Sequence, residues 1–211
     1  MVSNESSELA NSTTEEKEQE KSTAGKQEQK PTSDGSSFWR QVLDNVQIIA
    51  IALALALLIR AFVAEPRYIP SDSMLPTLEA GDRVVVEKIS YLFRPPAPGE
   101  IIVFNPPLQL QIRGYDSDQA FIKRVVGTPG KTIAVQGGKV YLNNTPLAED
   151  YIAEPPKYQM GLVNVPNEQF FVMGDNRNNS NDSHVWGFLP KQNVIGRACF
   201  RFWPLSRIGS I

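Results

Sequence analysis

The side chains most capable of chemistry in this 211-residue chain lie in three separated segments. In the first, Ser71 and Ser73 flank Asp72 in a short loop, and Pro70 and Pro76 restrict the backbone around them. A glycine-led, β-branched run follows, an order that is typical of a tight loop leading into a strand. A serine at the tip of such a loop can expose its hydroxyl to a substrate. An ordinary Ser/Pro turn explains the same residues, because such turns are common.

The second segment places a lysine in a largely apolar run, from Phe121 to Gly127. Strand alternation puts Lys123 on one face with Phe121 and Val125, and Arg124 on the other face. One cation therefore points inward whichever face is buried. A solvated lysine on an edge strand is the structural alternative, since edge strands commonly carry lysine.

The third segment is a polar loop, residues 174 to 184, with the sequence GDNRNNSNDSH. Asn, Asp and Ser side chains bond readily to backbone groups and to one another, so a structural turn network accounts for this composition. The loop also holds the only histidine of the chain, His184, two residues after Asp182. A Ser-His-Asp triad that uses this pair is not forbidden by the chain order, because such triads occur in several orders.

Short β-rich runs between turn signals must position these segments, since long helical periodicities are absent after residue 64. Strands are predicted at residues 84–87, 100–104, 121–126, 132–135, 139–142, 170–173 and 194–202. The sequence Gln136-Gly137-Gly138-Lys139 predicts a hairpin between two of them. These features together indicate an antiparallel all-β domain.

The N-terminal part of the chain has a different character. Residues 1 to 37 contain no aromatic residue and cannot bury enough apolar surface to fold, so a disordered tail is predicted. Residues 46 to 64 form a 19-residue apolar stretch whose helical length matches a hydrocarbon core of about 30 Å. We interpret it as a transmembrane anchor. A cleavable secretory signal is the competing interpretation, but a 37-residue acidic tail precedes the stretch.

Charge and cysteine content exclude several classes of function. The net charge is −2, and neither the acidic tail nor the remainder carries a basic patch that would suggest a nucleic acid partner. A single cysteine, Cys199, excludes an intramolecular disulfide and a cysteine-based metal cluster, and its apolar neighbours predict a small core residue. The basic residues on the two sides of the apolar stretch balance, so charge does not predict its orientation.

Taken together, four ordered segments resemble the signature boxes of the type I signal peptidases, which also carry an N-terminal membrane segment. The matching segments, within residues 70 to 187, are Pro70-Ser71-Asp72-Ser73-Met74-Leu75-Pro76-Thr77, Gly81-Asp82-Arg83-Val84, Lys123-Arg124-Val125-Val126-Gly127, and Gly174-Asp175-Asn176-Arg177 followed by Ser180-x-Asp182-Ser183. The resemblance implies a mainly β fold whose catalytic core is an antiparallel sheet or partly open barrel. A smaller β insertion is expected at roughly residues 130 to 170, inside a catalytic domain of residues 65 to 211.

The resemblance also implies a serine–lysine dyad and a role for individual residues. Ser73 is the expected nucleophile and Lys123 the expected general base. Ser71 matches the position whose hydroxyl helps the Ser73 backbone N–H hold the oxyanion, and Ser180 matches the serine that orients the lysine. Supporting positions are matched by Asp175, Arg177 and Asp182.

Two features of this residue set have chemical consequences. A free lysine has a pKa of about 10.4 and is charged at neutral pH, so Lys123 needs burial among apolar neighbours to become a base. His184 stands where many bacterial members have an arginine that pairs with the acid two residues earlier, and a neutral imidazole pairs with Asp182 more weakly. No cofactor and no metal are expected from this mechanism.

The predicted function is that of a membrane-anchored serine endopeptidase that removes N-terminal signal peptides from exported preproteins after small residues. Expected partners are these preproteins and the lipid bilayer, with no nucleic acid. A single span is expected to hold the catalytic domain on the extracytoplasmic side of the cell membrane. The alternatives are a soluble Ser/Lys autoprotease of the SOS-repressor kind, which would lack the membrane segment, and a non-catalytic membrane-anchored β-domain adaptor.

Overall fold

The structure, a computed structural model, describes residues 35 to 211. The tail predicted at residues 1 to 37 lies outside the described residues except at its end, where residues 35 to 37 begin a helix. This helix, α1, spans Gly35–Phe62 and is 28 residues long. It ends two residues before the C-terminal limit of the predicted anchor, because the chain then turns and enters the first strand.

In its C-terminal part, residues 46 to 62, α1 carries apolar residues on all sides. Its large apolar side chains from Leu43 to Phe62 are each at least 46% exposed. Residues Gln41–Phe62 are long and apolar enough to cross a membrane, judged by length and composition alone. Exposed apolar side chains on such a helix suit a hydrocarbon environment better than water.

The rest of the described chain is mainly strand, in two antiparallel sheets. The strands are β1 (Ala64–Tyr68), β2 (Arg83–Glu87), β3 (Ile101–Phe104), β4 (Phe121–Gly127), β5 (Thr132–Gln136), β6 (Lys139–Leu142), β7 (Thr145–Pro146), β8 (Met160–Asn164), β9 (Gln169–Met173), β10 (Leu189–Pro190), β11 (Val194–Trp203) and β12 (Gly209–Ser210). Short helices of four residues each connect some of them: α2 (Ser90–Phe93), α3 (Leu108–Gln111) and α4 (Ser183–Trp186). The predicted mainly β fold class is confirmed.

The main sheet has eight strands in the order β1-β2-β11-β3-β4-β9-β10, with β12 paired to β11. Every pairing in it is antiparallel. The strand that carries the lysine, β4, lies inside this order between β3 and β9. Lys123 is therefore not a solvated residue on an edge strand, which was the structural alternative.

The second sheet is smaller and has four strands in the order β7-β6-β5-β8. It is inserted in the chain between β4 and β9, within the range predicted for the insertion. The predicted hairpin is present: Gln136 pairs with Lys139, and the two turn residues have φ of 54° and 74°. Glycine is suited to both turn positions because side chains disfavour positive φ.

Strand β4 contributes to three groups of buried apolar side chains. Ile122 packs in a group with Met74 and Leu78 of the loop that follows β1. Val125 packs with side chains of β3 and β9, and Val126 packs with those of the small sheet. Both faces of β4 are thus covered, so the backbone position of Lys123 is held by packing on every side.

Two strands of five residues were not predicted, β1 and β8. Each lies at the end of its sheet in the strand order. An edge strand can be partly solvated on both faces, and it does not need the apolar alternation by which strands are recognised. Cys199 also differs from expectation, since it is half-buried rather than a core residue.

Candidate active site

Ser73 lies in a single turn of 3-10 helix, Asp72–Met74, which follows β1. Its neighbour Met74 is fully buried in the core, and this contact fixes the turn against the sheet. The Ser73 side chain is therefore held at a rigid position at the edge of the core, where the residue is 8% exposed. Ser71 has an extended backbone just before the turn, and its Oγ is 3.4 Å from Ser73 Oγ.

Lys123 reaches Ser73 from β4, fifty residues away in the chain. Its Nζ lies 2.7 Å from Ser73 Oγ and donates to the carbonyl oxygen of Ile122 at 2.9 Å. The residue is 4% exposed. Burial lowers the pKa of Lys123 to about 8, against the opposing influence of the carboxylates of Asp182 and Asp175. The arrangement places a serine hydroxyl within hydrogen-bond distance of an amine that loses its proton readily.

The polar loop, residues 174 to 184, lies directly against the serine turn. Asn176 N donates to the Ser73 carbonyl oxygen at 3.1 Å, and the Asn176 side chain donates to the Asp72 carbonyl oxygen at the same distance. Gly174 is in van der Waals contact with its surroundings: a Cβ there would clash with the Ser73 carbonyl oxygen and with Ser180 Oγ. Glycine at this position allows the two segments to approach.

The Oγ of Ser180 is buried beside Gly174, but it has no hydrogen-bond partner among the described residues. The hydrogen bonds of Lys123 Nζ go to Ser73 and Ile122. The structure thus brings Ser180 close to the serine turn without the predicted bond to the lysine, and its orienting role stays a prediction.

Asp175 is fully buried, and both of its carboxylate oxygens accept hydrogen bonds. Arg124 binds it with two parallel bonds, from Nε to Oδ1 at 2.8 Å and from Nη2 to Oδ2 at 2.6 Å. Thr77 Oγ1 donates to Oδ2 at 2.5 Å. Arg124 and Thr77 were not selected as site residues, although each belongs to a recognised segment. For Arg124 there was a further signal, because strand alternation indicated that either Lys123 or Arg124 points inward.

Arg177 is also buried, and it joins the polar loop to the small sheet. Its Nε donates to the Gly174 carbonyl oxygen at 3.0 Å, and its Nη1 lies 2.7 Å from Glu149 Oε1. Both side chains of this ion pair are almost fully buried. Glu149 was missed in the sequence, because a lone glutamate in a loop of the insertion carries no pattern that distinguishes it.

Asp182 caps the short helix α4 and links it to Gly174. Its Oδ2 accepts from Gly174 N at 2.8 Å, and its Oδ1 accepts from His184 N at 3.1 Å. The His184 ring nitrogen Nδ1 is 2.6 Å from the same Oδ1, so the pair whose strength the sequence left open is present. His184 stacks on Tyr158 with ring centroids 4.2 Å apart. The partners of Ser73 Oγ in the described chain are Lys123 and Ser71, so the geometry does not favour a Ser-His-Asp triad.

A groove of about 310 Å³ opens onto Ser73 and Lys123. Its lining includes residues 70 to 73 and residues 119 to 123. Apolar side chains such as Ile122 and polar ones such as Asn181 both line it. Within the described chain, no group of three or more His, Cys, Asp or Glu side chains could hold a metal ion.

Comparison with known proteins gives one consistent result. Residues 42–203 match the family described as "Signal peptidase, peptidase S26". Probable signal peptidase I-1 of Synechocystis sp. is 64% identical over 175 residues, which are 83% of this chain and 89% of that protein. Signal peptidase I of Leptolyngbya laminosa is 55% identical over 81% of this chain and 84% of its own.

A more distant relative is the probable thylakoidal processing peptidase 2 of Arabidopsis thaliana. It is 45% identical over 85% of this chain, and the match covers 50% of that longer protein. The match to the family extends over the helix, the serine turn, β4 and the polar loop alike. The chain belongs to the signal peptidase family and is a signal peptidase that removes signal peptides from preproteins.

Proposed function

We propose that this signal peptidase uses Ser73 as nucleophile and Lys123 as general base, while α1 anchors it in a membrane. The observation that carries the proposal is the 2.7 Å distance between Ser73 Oγ and Lys123 Nζ in a buried position. A hydroxyl is a poor nucleophile until a neighbouring group removes its proton. Lys123 is the only side chain besides Ser71 that bonds to Ser73 Oγ in the described residues.

The proposed reaction has two stages, acylation of Ser73 and hydrolysis of the acyl-enzyme. Neutral Lys123 takes the proton of Ser73 as Oγ attacks the scissile carbonyl carbon, and the carbonyl oxygen becomes an oxyanion. The Ser73 backbone N–H and the Ser71 hydroxyl, which lies 3.4 Å from Ser73 Oγ, are the proposed donors to it. The Lys123 ammonium then returns the proton to the leaving amine. A water molecule hydrolyses the acyl-enzyme, with Lys123 again as base.

The neighbouring acids fit a supporting role. The carboxylates of Asp175 and Asp182 raise the pKa of Lys123. A higher pKa opposes catalysis, and the effect would be larger if these carboxylates had no partners of their own. Asp175 is neutralised by the two bonds from Arg124, and Asp182 accepts from Gly174 N and pairs with His184. We propose that Asp175, Arg177 and Asp182 hold the polar loop against the serine turn, and that Ser180 orients the lysine once substrate is bound.

The groove supports binding of an extended peptide. Residues 70 to 73 and 119 to 123 both line it beside Ser73 and Lys123, which suits a peptide strand laid along these segments. In such a strand alternate side chains enter the protein, so shallow pockets would select small residues at the first and third positions before the cut. The proposed substrates are therefore exported preproteins with alanine-sized residues at these positions.

The anchor proposal rests on α1 and on the surface where α1 ends. Lys88 N, just after β2, donates to the Val63 carbonyl oxygen at 2.9 Å, so the chain after β2 lies at the end of the helix. Leu92 and Phe93, which follow in α2, are 76% and 83% exposed. Apolar side chains at the level where a span leaves the bilayer suit the lipid interface. We propose a single span, with the domain from residue 65 on the extracytoplasmic side of the membrane.

Cleavage of a purified preprotein in detergent tests the proposal. The wild-type chain should release the signal peptide, Ser73→Ala should release none, and a preprotein with Phe in place of Ala before the scissile bond should be cut at least about a hundredfold more slowly. Cleavage by Ser73→Ala would contradict the assignment of the nucleophile. Equal rates with Ala and Phe would contradict the pocket.

A further inference from the structure

A loop of the small sheet contacts the polar loop at several points. We call residues 147 to 159, between β7 and β8, the support loop. Its Glu149 pairs with Arg177, and its Tyr158 stacks on His184. Asn178 of the polar loop accepts from Lys157 N at 2.8 Å and donates to the Pro155 carbonyl oxygen at 3.0 Å. The contacts are distributed along the loop, so the small sheet restrains the segment that lies against the nucleophile.

Tyr151 occupies the centre of these contacts. The Arg124 guanidinium carbon lies 4.1 Å from the centroid of the Tyr151 ring, and that of Arg177 lies 5.8 Å from it. Both distances fall within the range of cation–π attraction, about 6 Å. The Tyr151 hydroxyl donates to Glu149 Oε1 at 3.2 Å, the same oxygen that pairs with Arg177. One aromatic side chain therefore contacts two guanidinium groups and the carboxylate of one ion pair.

The two arginines connect Tyr151 to the catalytic pair. Arg124 holds Asp175, and Arg177 donates to the Gly174 carbonyl oxygen. Gly174 contacts the Ser73 carbonyl oxygen, and Asp175 is one of the two carboxylates that act on Lys123. Contacts therefore lead from the Tyr151 ring through Arg177 and Gly174 to Ser73, and through Arg124 and Asp175 to the surroundings of Lys123.

We propose that Tyr151 is a positioning residue for the peptidase reaction, which acts by holding Arg124 on Asp175 and Arg177 on the Gly174 carbonyl. The inference rests on the Ser73–Lys123 dyad proposed above. Without the ring, Arg124 is less restrained and compensates Asp175 less completely. The polar loop also loses its restraint at Arg177, so its distance from the Ser73 carbonyl oxygen is less fixed.

The expected chemical consequence has a definite sign. A less compensated Asp175 favours the ammonium form of Lys123, so its pKa rises above the present value of about 8. The fraction of neutral lysine at a given pH then falls, and the rising limb of the pH–rate profile moves to higher pH. A residue that only stabilised the fold would lower the amount of active enzyme without moving this limb.

Three variants of the full-length protein in detergent test the inference. Tyr151→Ala removes the ring, and Tyr151→Phe keeps the ring but loses the hydroxyl bond to Glu149. Tyr141→Ala is the matched control. Tyr141 lies in β6 of the same small sheet, and the cation–π pairs of Arg124 and Arg177 among the described residues are with Tyr151 and not with Tyr141. Each is assayed for kcat and KM between pH 6 and pH 10, with thermal unfolding as the check on folding.

We expect Tyr151→Ala to lower kcat about tenfold with KM changed less than about twofold, and its pH profile to move alkaline by about half a pH unit. Tyr151→Phe and Tyr141→Ala should keep wild-type kcat within about twofold and the wild-type profile. If Tyr151→Ala does not fold, Tyr151→Leu, which keeps volume without an aromatic ring, serves in its place with the same expectation.

Two results would overturn the inference. The first is a wild-type pH profile in Tyr151→Ala or Tyr151→Leu, whatever the loss of folded protein. The second is equal activity of Tyr151→Ala and Tyr141→Ala. Failure of the underlying dyad is distinguished by Ser73→Ala and Lys123→Arg measured alongside: if either cleaves, the proposed dyad is wrong, and if both are inactive, only the role of Tyr151 is in question.

Discussion

At the scale of single residues, the site depends on the free energy of one buried charge. Burial of Lys123 lowers its pKa from the ordinary value of 10.5 to about 8, although two carboxylates raise it. Burial has the larger effect, and each carboxylate is bonded to partners of its own. With a pKa near 8, about one lysine in ten is neutral at pH 7, and this fraction would supply the proposed general base.

The first prediction follows from this titration. The value of kcat/KM should rise with pH through about 8, since deprotonation of Lys123 produces the base. Lys123→Arg should abolish cleavage at every pH up to 10, because a guanidinium with a pKa above about 12 stays charged. Preprotein cleavage from pH 6 to pH 10 measures both effects.

His184→Ala is the informative control for that prediction. The His184 imidazole bonds to the Asp182 carboxylate and stacks on Tyr158, so its loss should lower the free energy of unfolding by about 1 kcal/mol. The variant should keep a measurable cleavage rate that rises with pH as in the wild type. If folded His184→Ala is as inactive as Ser73→Ala while Lys123→Arg retains activity, His184 is the base and the dyad is wrong.

A second prediction concerns stability. A lysine whose pKa is lower in the folded state destabilises the protein in full below about pH 8, where both states are protonated. Between about 8 and 10.5 only the unfolded chain binds the proton, so the destabilisation disappears as pH rises. Lys123→Met should therefore be inactive but more stable at pH 7, by on the order of 1–3 kcal/mol, with a smaller gain near pH 10. Urea unfolding at both pH values checks this, and a loss of stability at pH 7 would contradict it.

At the scale of elements, the site is a contact between three chain segments. The serine turn follows an edge strand, the lysine comes from a strand inside the sheet order, and the polar loop follows β9, which pairs with β4. Gly174 is where the loop and the turn touch. The position of Ser73 relative to Lys123 is thus decided by backbone packing as well as by side chains.

The third prediction tests that contact. Gly174→Ala places a Cβ on the Ser73 carbonyl oxygen, so the loop or the serine turn must move. We expect kcat to fall by about a hundredfold or more, because small displacements of reacting groups are costly. Gly161→Ala in β8 is the matched control, since a Cβ there meets nothing within 4 Å. Equal preprotein cleavage by the two variants would show that the close approach is not required.

At the scale of the whole chain, an apolar helix is joined to a β domain with little intervening linker. Helix α1 ends at Phe62 and β1 begins at Ala64. The Val63 carbonyl between them accepts from Lys88 N, so the first residue after the helix is already bound to the domain. Such a short connection suits a domain that works close to a membrane surface.

The fourth prediction concerns the proposed membrane anchor, α1. Full-length protein should remain with membranes after high-salt and alkaline carbonate washing, because a 22-residue apolar helix is inserted effectively irreversibly. A truncated chain that begins at Val63 keeps β1 and should be much more soluble, yet still cleave preprotein in detergent. Release of intact full-length protein by carbonate would contradict the anchor.

Several features were determined by the sequence alone because they depend on local chemistry. The hairpin at Gly137-Gly138 follows from turn residues that tolerate positive φ, and the runs at residues 84–87, 121–126 and 139–142 follow from β-branched composition. The segments around Ser73, Lys123 and Asp175 were recognised by their resemblance to the signature boxes of the family, which are defined by residue types at fixed local spacing.

Only the tertiary structure decided what lies between those segments. It placed Lys123 on a strand inside the sheet order, paired Arg124 rather than Arg177 with Asp175, and joined Arg177 to Glu149 across 28 residues. The sequence had no means to select Glu149 or Tyr151, because their importance comes from contacts across folded segments and not from a local pattern. Edge strands such as β1 were not predicted, for a related reason. Their pairing is set by the neighbouring strand, and because their faces are half-solvated, their own sequence needs no apolar alternation.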